Sequence, residues 1–211
     1  MSHHTIVNLV RHGEVHNPSG VLYGRLPGFN LSTAGQEMAR AAAAALAGRD
    51  VRLVWSSPLD RALQTARPIA EQFGLDIRTD DRLIESTNVF EGKTFGVGDG
   101  ALRRPANWRH VMNPFRPSWG EPYAEVAARV QSVCADAAAA AAGGEAVLVS
   151  HQLPIWVTRR SVEGRRLWHR PDRRECALAS ITSFVYAGTK IVEVRYAEPA
   201  GALGRSRVGG A

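Results

Sequence analysis

The stretch Val7–Asn17, "VNLVRHGEVHN", decides how this chain is read. Ile6, Val7, Leu9 and Val10 make a short apolar strand broken only by Asn8, and an arginine, a histidine and a glycine stand at its end. A strand that only builds a core has no use for that triplet, because Arg11 and His12 add positive charge where burial disfavours it. Gly13 frees the backbone at the same point. The pattern recurs downstream. "EAVLVS" (145–150) reads as a second buried strand, and it also runs into a histidine, His151.

Around these two strands the chain alternates between strand and helix patterns. A loop rich in Gly, Pro and Asn follows the first strand, and Ser32 is then the expected N-cap of an alanine-rich helix ending near Leu46. "VRLVWSS" (51–57) is a strand. Ser57, with Pro58 and Asp60 behind it, is the expected start of a helix that runs to Phe73 and stops at Gly74. Pro68 inside it is expected to kink it. "DIRT" (76–79) is a short third strand. Residues 86–122 change texture, with several Gly and Pro and the aromatics Trp108, Phe115 and Trp119, and are read as an inserted lid. Tyr123 begins a helical segment that stops at Gly143-Gly144, and "LPIWVTRRSV" after His151 is a further helix. "SITSFVY" and "KIVEVRY" alternate around an Ala-Gly-Thr turn as a hairpin. Residues 1–198 are therefore expected to form one domain, a three-layer α/β/α sandwich with a mostly parallel central sheet, and 199–211 a disordered tail. In such folds sites form at the carboxyl ends of the strands, where both histidines stand.

Composition narrows the class without choosing a function. A 211-residue chain with 45% hydrophobic residues is long enough for one sizeable core, and no apolar run approaches membrane-spanning length. Four residues ahead of the first strand leave no room for a signal peptide, so a cytoplasmic protein is expected. Cys134 and Cys176 match no metal or redox spacing. The net charge is +6, and nearly all the positive charge is arginine, since Lys93 and Lys190 are the only lysines. Arginine's planar fork suits phosphate oxygens, whether of a nucleic acid or of a small anion. The basic run "RRSVEGRRLWHRPDRR" (159–174) is interrupted by Glu163 and Asp172 and carries no nucleic-acid motif. It is read as a solvated face or a rim that attracts anionic substrates, with no nucleic acid and no membrane expected as partners.

Four pieces converge: "RHG" (11–13), "SPLDRALQTA" (57–66), "LIE" (83–85) and "VSH" (149–151). In this order they resemble the histidine phosphatase superfamily, the phosphoglycerate mutase-like family, over roughly residues 5–160. The resemblance implies a metal-independent phosphatase acting on a small phosphorylated substrate through a phosphohistidine, with no cofactor and no metal ligands. It assigns His12 as nucleophile, Glu85 as general acid and His151 as stabiliser of the transition state. It makes Arg11 and Arg61 phosphate clamps, with Asn17 and the backbone N–H of Gln152 as further phosphate contacts. The general chemistry agrees, since phosphoryl transfer needs an in-line nucleophile, donors around three oxygens and a proton for the leaving group.

Three departures from the family pattern stand out. "ESTNVFEG" after the acid is one residue shorter than the usual G-x-W-E-G arrangement and has Phe90 for tryptophan, which leaves Glu91 and Asp81 as lesser candidates for the acid. Asn17 lies five positions past His12, where relatives often have six. Gln152 replaces the usual glycine after the second histidine. His16, His110 and His169 lack partners in the pattern and are read as structural, whereas Tyr23 and Arg25 are left open between loop packing and substrate contact. A phosphoglycerate mutase is the nearest alternative activity, and a non-catalytic anion- or nucleic-acid-binding protein is the alternative from another class. Neither the substrate nor the oligomeric state is written in the sequence.

Overall fold

Strand β1 (Thr5–Arg11) carries the opening motif, and the computed structural model, which describes residues 4–89, 91–93 and 120–204, sets it near the middle of the sheet. The other strands are β2 (Val51–Ser56), β3 (Ile77–Thr79), β4 (Glu145–Ser150), β5 (Ile181–Ala187) and β6 (Lys190–Ala197). Among the described residues they form one sheet in the order β3-β2-β4-β1-β5-β6. The pairs β3/β2, β2/β4 and β4/β1 are parallel, while β1/β5 and the β5/β6 hairpin are antiparallel. The crossover from β1 to β2 leaves a space that β4 fills later, so the two strands that end in histidine lie side by side.

Among the described residues four helices cover the sheet: α1 (Thr33–Ala45), α2 (Asp60–Phe73), α3 (Tyr123–Ala140) and α4 (Gln152–Val162). The period-two alternation of the strands sends side chains to both faces. Val7, Leu9, Ala146 and Leu148 pack with Val130, Val133 and Cys134 of α3 and Ile155 of α4. Val10, Val147 and Val149 pack on the opposite face with Met38 and Ala42 of α1 and Ala62, Ala66 and Ile69 of α2. The fold is thus the expected three-layer sandwich. Asn8, the one polar residue of the strand, is buried but satisfied, donating to Glu145 Oε2 at 2.7 Å and accepting from Ser183 Oγ at 2.6 Å.

Helix α1 buries Gly35, Met38, Ala39, Ala42 and Ala43, the stripe a 3.6-residue period produces, and Ser32 caps it by accepting from Gly35 N at 3.0 Å. Helix α2 starts later than its sequence signal. Its N-cap is Leu59 with no side-chain hydrogen bond, so Pro58 lies ahead of the helix. The Ser57 hydroxyl is engaged by His151 Nε2 at 2.8 Å and holds Leu59 N only at 3.4 Å. Gly74 ends this helix in the left-handed region.

The expected lid lies mostly at 94–119, outside the described residues, and Phe90, Trp108, His110, Phe115 and Trp119 fall there too. The ends of that stretch meet in an antiparallel bridge between Asn88 and Gly120. Order extends past the expected start of the tail: Ala200 is buried in the core and Gly201–Gly204 forms a short helix, α5. Residues 205–211 lie outside the described residues.

Gly13 is required by close approach. A Cβ there would strike the Gly35 carbonyl oxygen, and a Cβ on Gly35 would strike that of Glu14, so the loop after β1 and the first turn of α1 touch backbone to backbone. Gly13→Ala is expected to lower unfolding free energy by about 1–3 kcal/mol in chemical denaturation, because the obstructing atoms are main chain. A change below about 0.5 kcal/mol would show that the contact relaxes freely.

Candidate active site

The site grows from the parallel pairing of β1 and β4. Arg11 is in register with Ser150, and the His12 N–H donates to the Ser150 carbonyl at 3.1 Å, so the two strands end level. The next residue of each is a histidine. His12 and His151 are buried, with ring centroids 5.2 Å apart. His12 Nδ1 faces its neighbour Gly13's carbonyl oxygen at 2.8 Å. A carbonyl only accepts, so Nδ1 carries the proton and Nε2 keeps its lone pair. His151 Nε2 meets the Ser57 hydroxyl, while its buried Nδ1 has no protein partner.

Two arginines face these rings. Arg61, second residue of α2, is 1% exposed and among the largest fully buried side chains. One of its Nη atoms donates to the Gly24 carbonyl at 2.5 Å, and its guanidinium lies over the Tyr23 ring, 4.8 Å from the centroid. Arg11 donates to the Cys176 carbonyl at 2.7 Å. Among the described residues neither makes a salt bridge, and each keeps a buried Nε–H without a partner. Buried charge without a counter-ion is costly, so cationic groups gathered this way mark a place for an anion.

Glu85 is brought to the same place by the turn after β3. The 3₁₀ segment Asp81–Leu83 is tied to the end of β4 by Ser150 Oγ, which donates to the Leu83 carbonyl at 2.7 Å. Arg25 holds the next step, donating through Nε to the Glu85 carbonyl at 2.6 Å and through Nη2 to Glu121 at 3.1 Å. Burial raises the Glu85 carboxyl above its ordinary value, against the Ser86 N–H and the nearby Arg61, Arg174 and Arg11, which pull it down. A raised carboxyl is a better proton donor at neutral pH.

The remaining expected residues separate. Gln152 opens α4, and its backbone N–H lies in the first turn, where helical amides have no internal acceptor. Asn17, the other expected phosphate contact, closes the loop on itself, donating to the Val21 carbonyl at 2.8 Å and accepting from Val21 N at 3.1 Å, which leaves its amide one further N–H. Asp81 is exposed, and Glu91 accepts from Arg25 N at 3.1 Å, beside Gly24. Tyr23 belongs to the site wall, 6.4 Å from His12 and under Arg61, whereas Arg25 positions Glu85. Ser57, expected from the sequence only as a helix start, orients His151, and Arg174, quoted there only within the basic run, lies within electrostatic reach of Glu85 and Arg11.

The family profile described as histidine phosphatase superfamily (branch 1) matches residues 7–199. The chain belongs to the histidine phosphatase superfamily. An uncharacterized Mycobacterium tuberculosis protein, Rv0525, is 55% identical over 200 residues, covering 95% of this chain and 99% of that one. Among solved structures, Bacillus stearothermophilus YhfR superposes with a TM-score of 0.76 at 22% identity, covering 89% of this chain and 94% of its own. The mycobacterial glucosyl-3-phosphoglycerate phosphatase Rv2419c superposes with a TM-score of 0.72 at 26% identity, covering 92% and 96%. No helix among the described residues of this superfamily member is long and apolar enough to cross a membrane.

The histidines also set a pH response. Burial, then Arg11 and Arg61, hold His12 well below its ordinary value of 6.5; burial, then His12 and the arginines, do the same to His151. Below pH 6.5 the unfolded chain binds protons that the fold refuses, so stability present above that pH is lost as pH falls. The melting temperature is expected to drop between about pH 7.5 and pH 5.5, and to drop less in His12→Asn. Equal slopes would mean that His12 is charged in the folded protein.

Proposed function

We propose that the protein is a metal-independent phosphatase that hydrolyses a phosphomonoester through a phosphohistidine on His12. The observation that carries this reading is the His12 imidazole, held neutral by burial with Nδ1 engaged by the Gly13 carbonyl. Its Nε2 lone pair is free to attack phosphorus in line with the leaving oxygen. The P–N bond forms as the P–O bond breaks. Arg11, Arg61 and the His151 Nδ1–H neutralise the equatorial oxygens, and the Gln152 N–H adds a dipole at a helix start. Glu85 gives its proton to the departing alcohol, then takes one from the water that attacks phosphorus and frees His12. The likeness to a named phosphatase supports hydrolysis over transfer to a second substrate. The expected location is the cytoplasm and the expected partner a small phosphorylated molecule.

His12→Ala is expected to abolish phosphate release from p-nitrophenyl phosphate. Glu85→Gln is expected to lower turnover of an alkyl phosphate by about 10²–10⁴-fold, and that of p-nitrophenyl phosphate less, because nitrophenolate leaves without a proton. Full activity in the His12 variant would end the mechanism. Supplying 3-phosphoglycerate with a trace of 2,3-bisphosphoglycerate separates the mutase: 2-phosphoglycerate formed without free phosphate would replace the phosphatase reading.

A further inference from the structure

The two histidines of the cluster are held by different kinds of partner. His12 gives its Nδ1–H to the Gly13 carbonyl and keeps a lone pair on Nε2. Gly13 is itself tied down: its N–H donates to Thr65 Oγ1 at 3.1 Å, and that hydroxyl donates to the Arg61 carbonyl at 2.7 Å. His151 has no such carbonyl. Its Nε2 meets the Ser57 hydroxyl at 2.8 Å, and its Nδ1 is buried without a protein partner, in a ring 5.2 Å from that of His12. Whether His151 offers the site a proton or a second lone pair depends on which way its hydrogen bond with Ser57 runs.

Ser57 is fully buried, and its backbone is fixed on both sides. Its N–H donates to the Val149 carbonyl at 2.9 Å, and its carbonyl accepts from Ser56 Oγ at 2.9 Å. The hydroxyl has one proton to give. Among the described residues its other contact is with the Leu59 N–H at 3.4 Å, and an N–H only donates. Nε2 of His151 is thus the one acceptor those residues offer the Ser57 proton. The reverse arrangement, with Nε2–H donating to Ser57, would bury a hydroxyl proton without an acceptor. It would also leave a lone pair on the unpartnered Nδ1, which would repel a phosphoryl oxygen.

We infer that Ser57 is a positioning residue: by donating to Nε2 it puts the His151 proton on Nδ1, which makes that ring a hydrogen-bond donor to the phosphoryl group and bars it from acting as a second nucleophile. Each neutral imidazole has one lone pair. That of His12 is free, and that of His151 is held by a hydroxyl. Two buried rings of the same kind are thereby given different tasks by a serine just ahead of α2. The task given to His151 rests on the phosphatase reading, whereas the place of its proton does not, and two measurements separate them.

Long-range ¹H–¹⁵N spectra of the full chain with ¹⁵N-labelled histidine, recorded at neutral pH, distinguish a protonated ring nitrogen from a bare one. The His151 signals are those lost in His151→Asn. They are expected to show Nδ1 protonated and Nε2 bare. A proton on Nε2, whether alone, shared or additional, overturns the assignment and requires no Ser57 variant to fold. Inorganic phosphate and vanadate, which takes the five-coordinate shape of the transition state, are then titrated into the parent and Ser57→Ala. A neutral hydrogen bond of ordinary strength biases a proton's position by roughly tenfold, so Ser57→Ala is expected to weaken vanadate about tenfold and phosphate much less. Its kcat is expected to fall in step with vanadate affinity while KM stays near the parent value. Equal loss of both ligands makes Ser57 structural, and unchanged vanadate affinity makes it idle; either overturns its role. Failure of both ligands to bind the parent removes the phosphatase reading, and the role with it, whatever the spectra show.

Discussion

The hydrogen bond from the His12 N–H to the Ser150 carbonyl, 3.1 Å long, is the rung on which the site depends. It closes the ladder between β1 and β4, two parallel strands far apart in the chain, and makes them stop together. Because side chains alternate along each strand, the residues inside the sheet are committed to its apolar layers, and only the residues just past the ends are free for chemistry. Slipping the register by one residue would turn Val10 and Val149 off their face and part the two imidazoles. The glycine after His12 serves the same end by letting the loop pass against the first turn of α1.

What this frame holds is unfavourable by itself. Two imidazoles and two guanidiniums are gathered where little water reaches, and among the described residues no carboxylate makes a salt bridge with either arginine. Desolvation keeps the histidines uncharged, and Glu85 is pushed toward its protonated form. Each feature is what phosphoryl transfer asks of the group concerned: a lone pair on the nucleophile, fixed positive charge around the oxygens, and an acid that holds its proton more tightly than an ordinary carboxyl. The strain of collecting these groups is relieved when an anion enters.

The sequence disclosed the frame more readily than the surroundings. Hydrophobic strands ending in Arg-His and Ser-His, and the alanine stripe behind Ser32, are local patterns that the folded chain keeps. Ser57 misled because a hydroxyl that looks like a helix cap is taken by His151, a partner 94 positions away. Asn17 has a local partner that the sequence did not announce, since its amide braces the loop four residues on at Val21. Arg174 was invisible inside a run of similar charges: which arginine of 159–174 turns toward the site depends on where Gln152 and His169 lie, and no spacing records that. The departure of Gln152 from the family's glycine, by contrast, was plain to read, and its side chain is what reaches Arg174.

The central claim is that a protein nitrogen, and not water, makes the first bond to phosphorus. Hydrolysis of an ester whose phosphoryl group is made chiral with oxygen isotopes tests it directly. Two successive in-line displacements, at His12 and then by water, predict net retention of configuration in the released phosphate; net inversion would mean a single attack by water and would contradict the account.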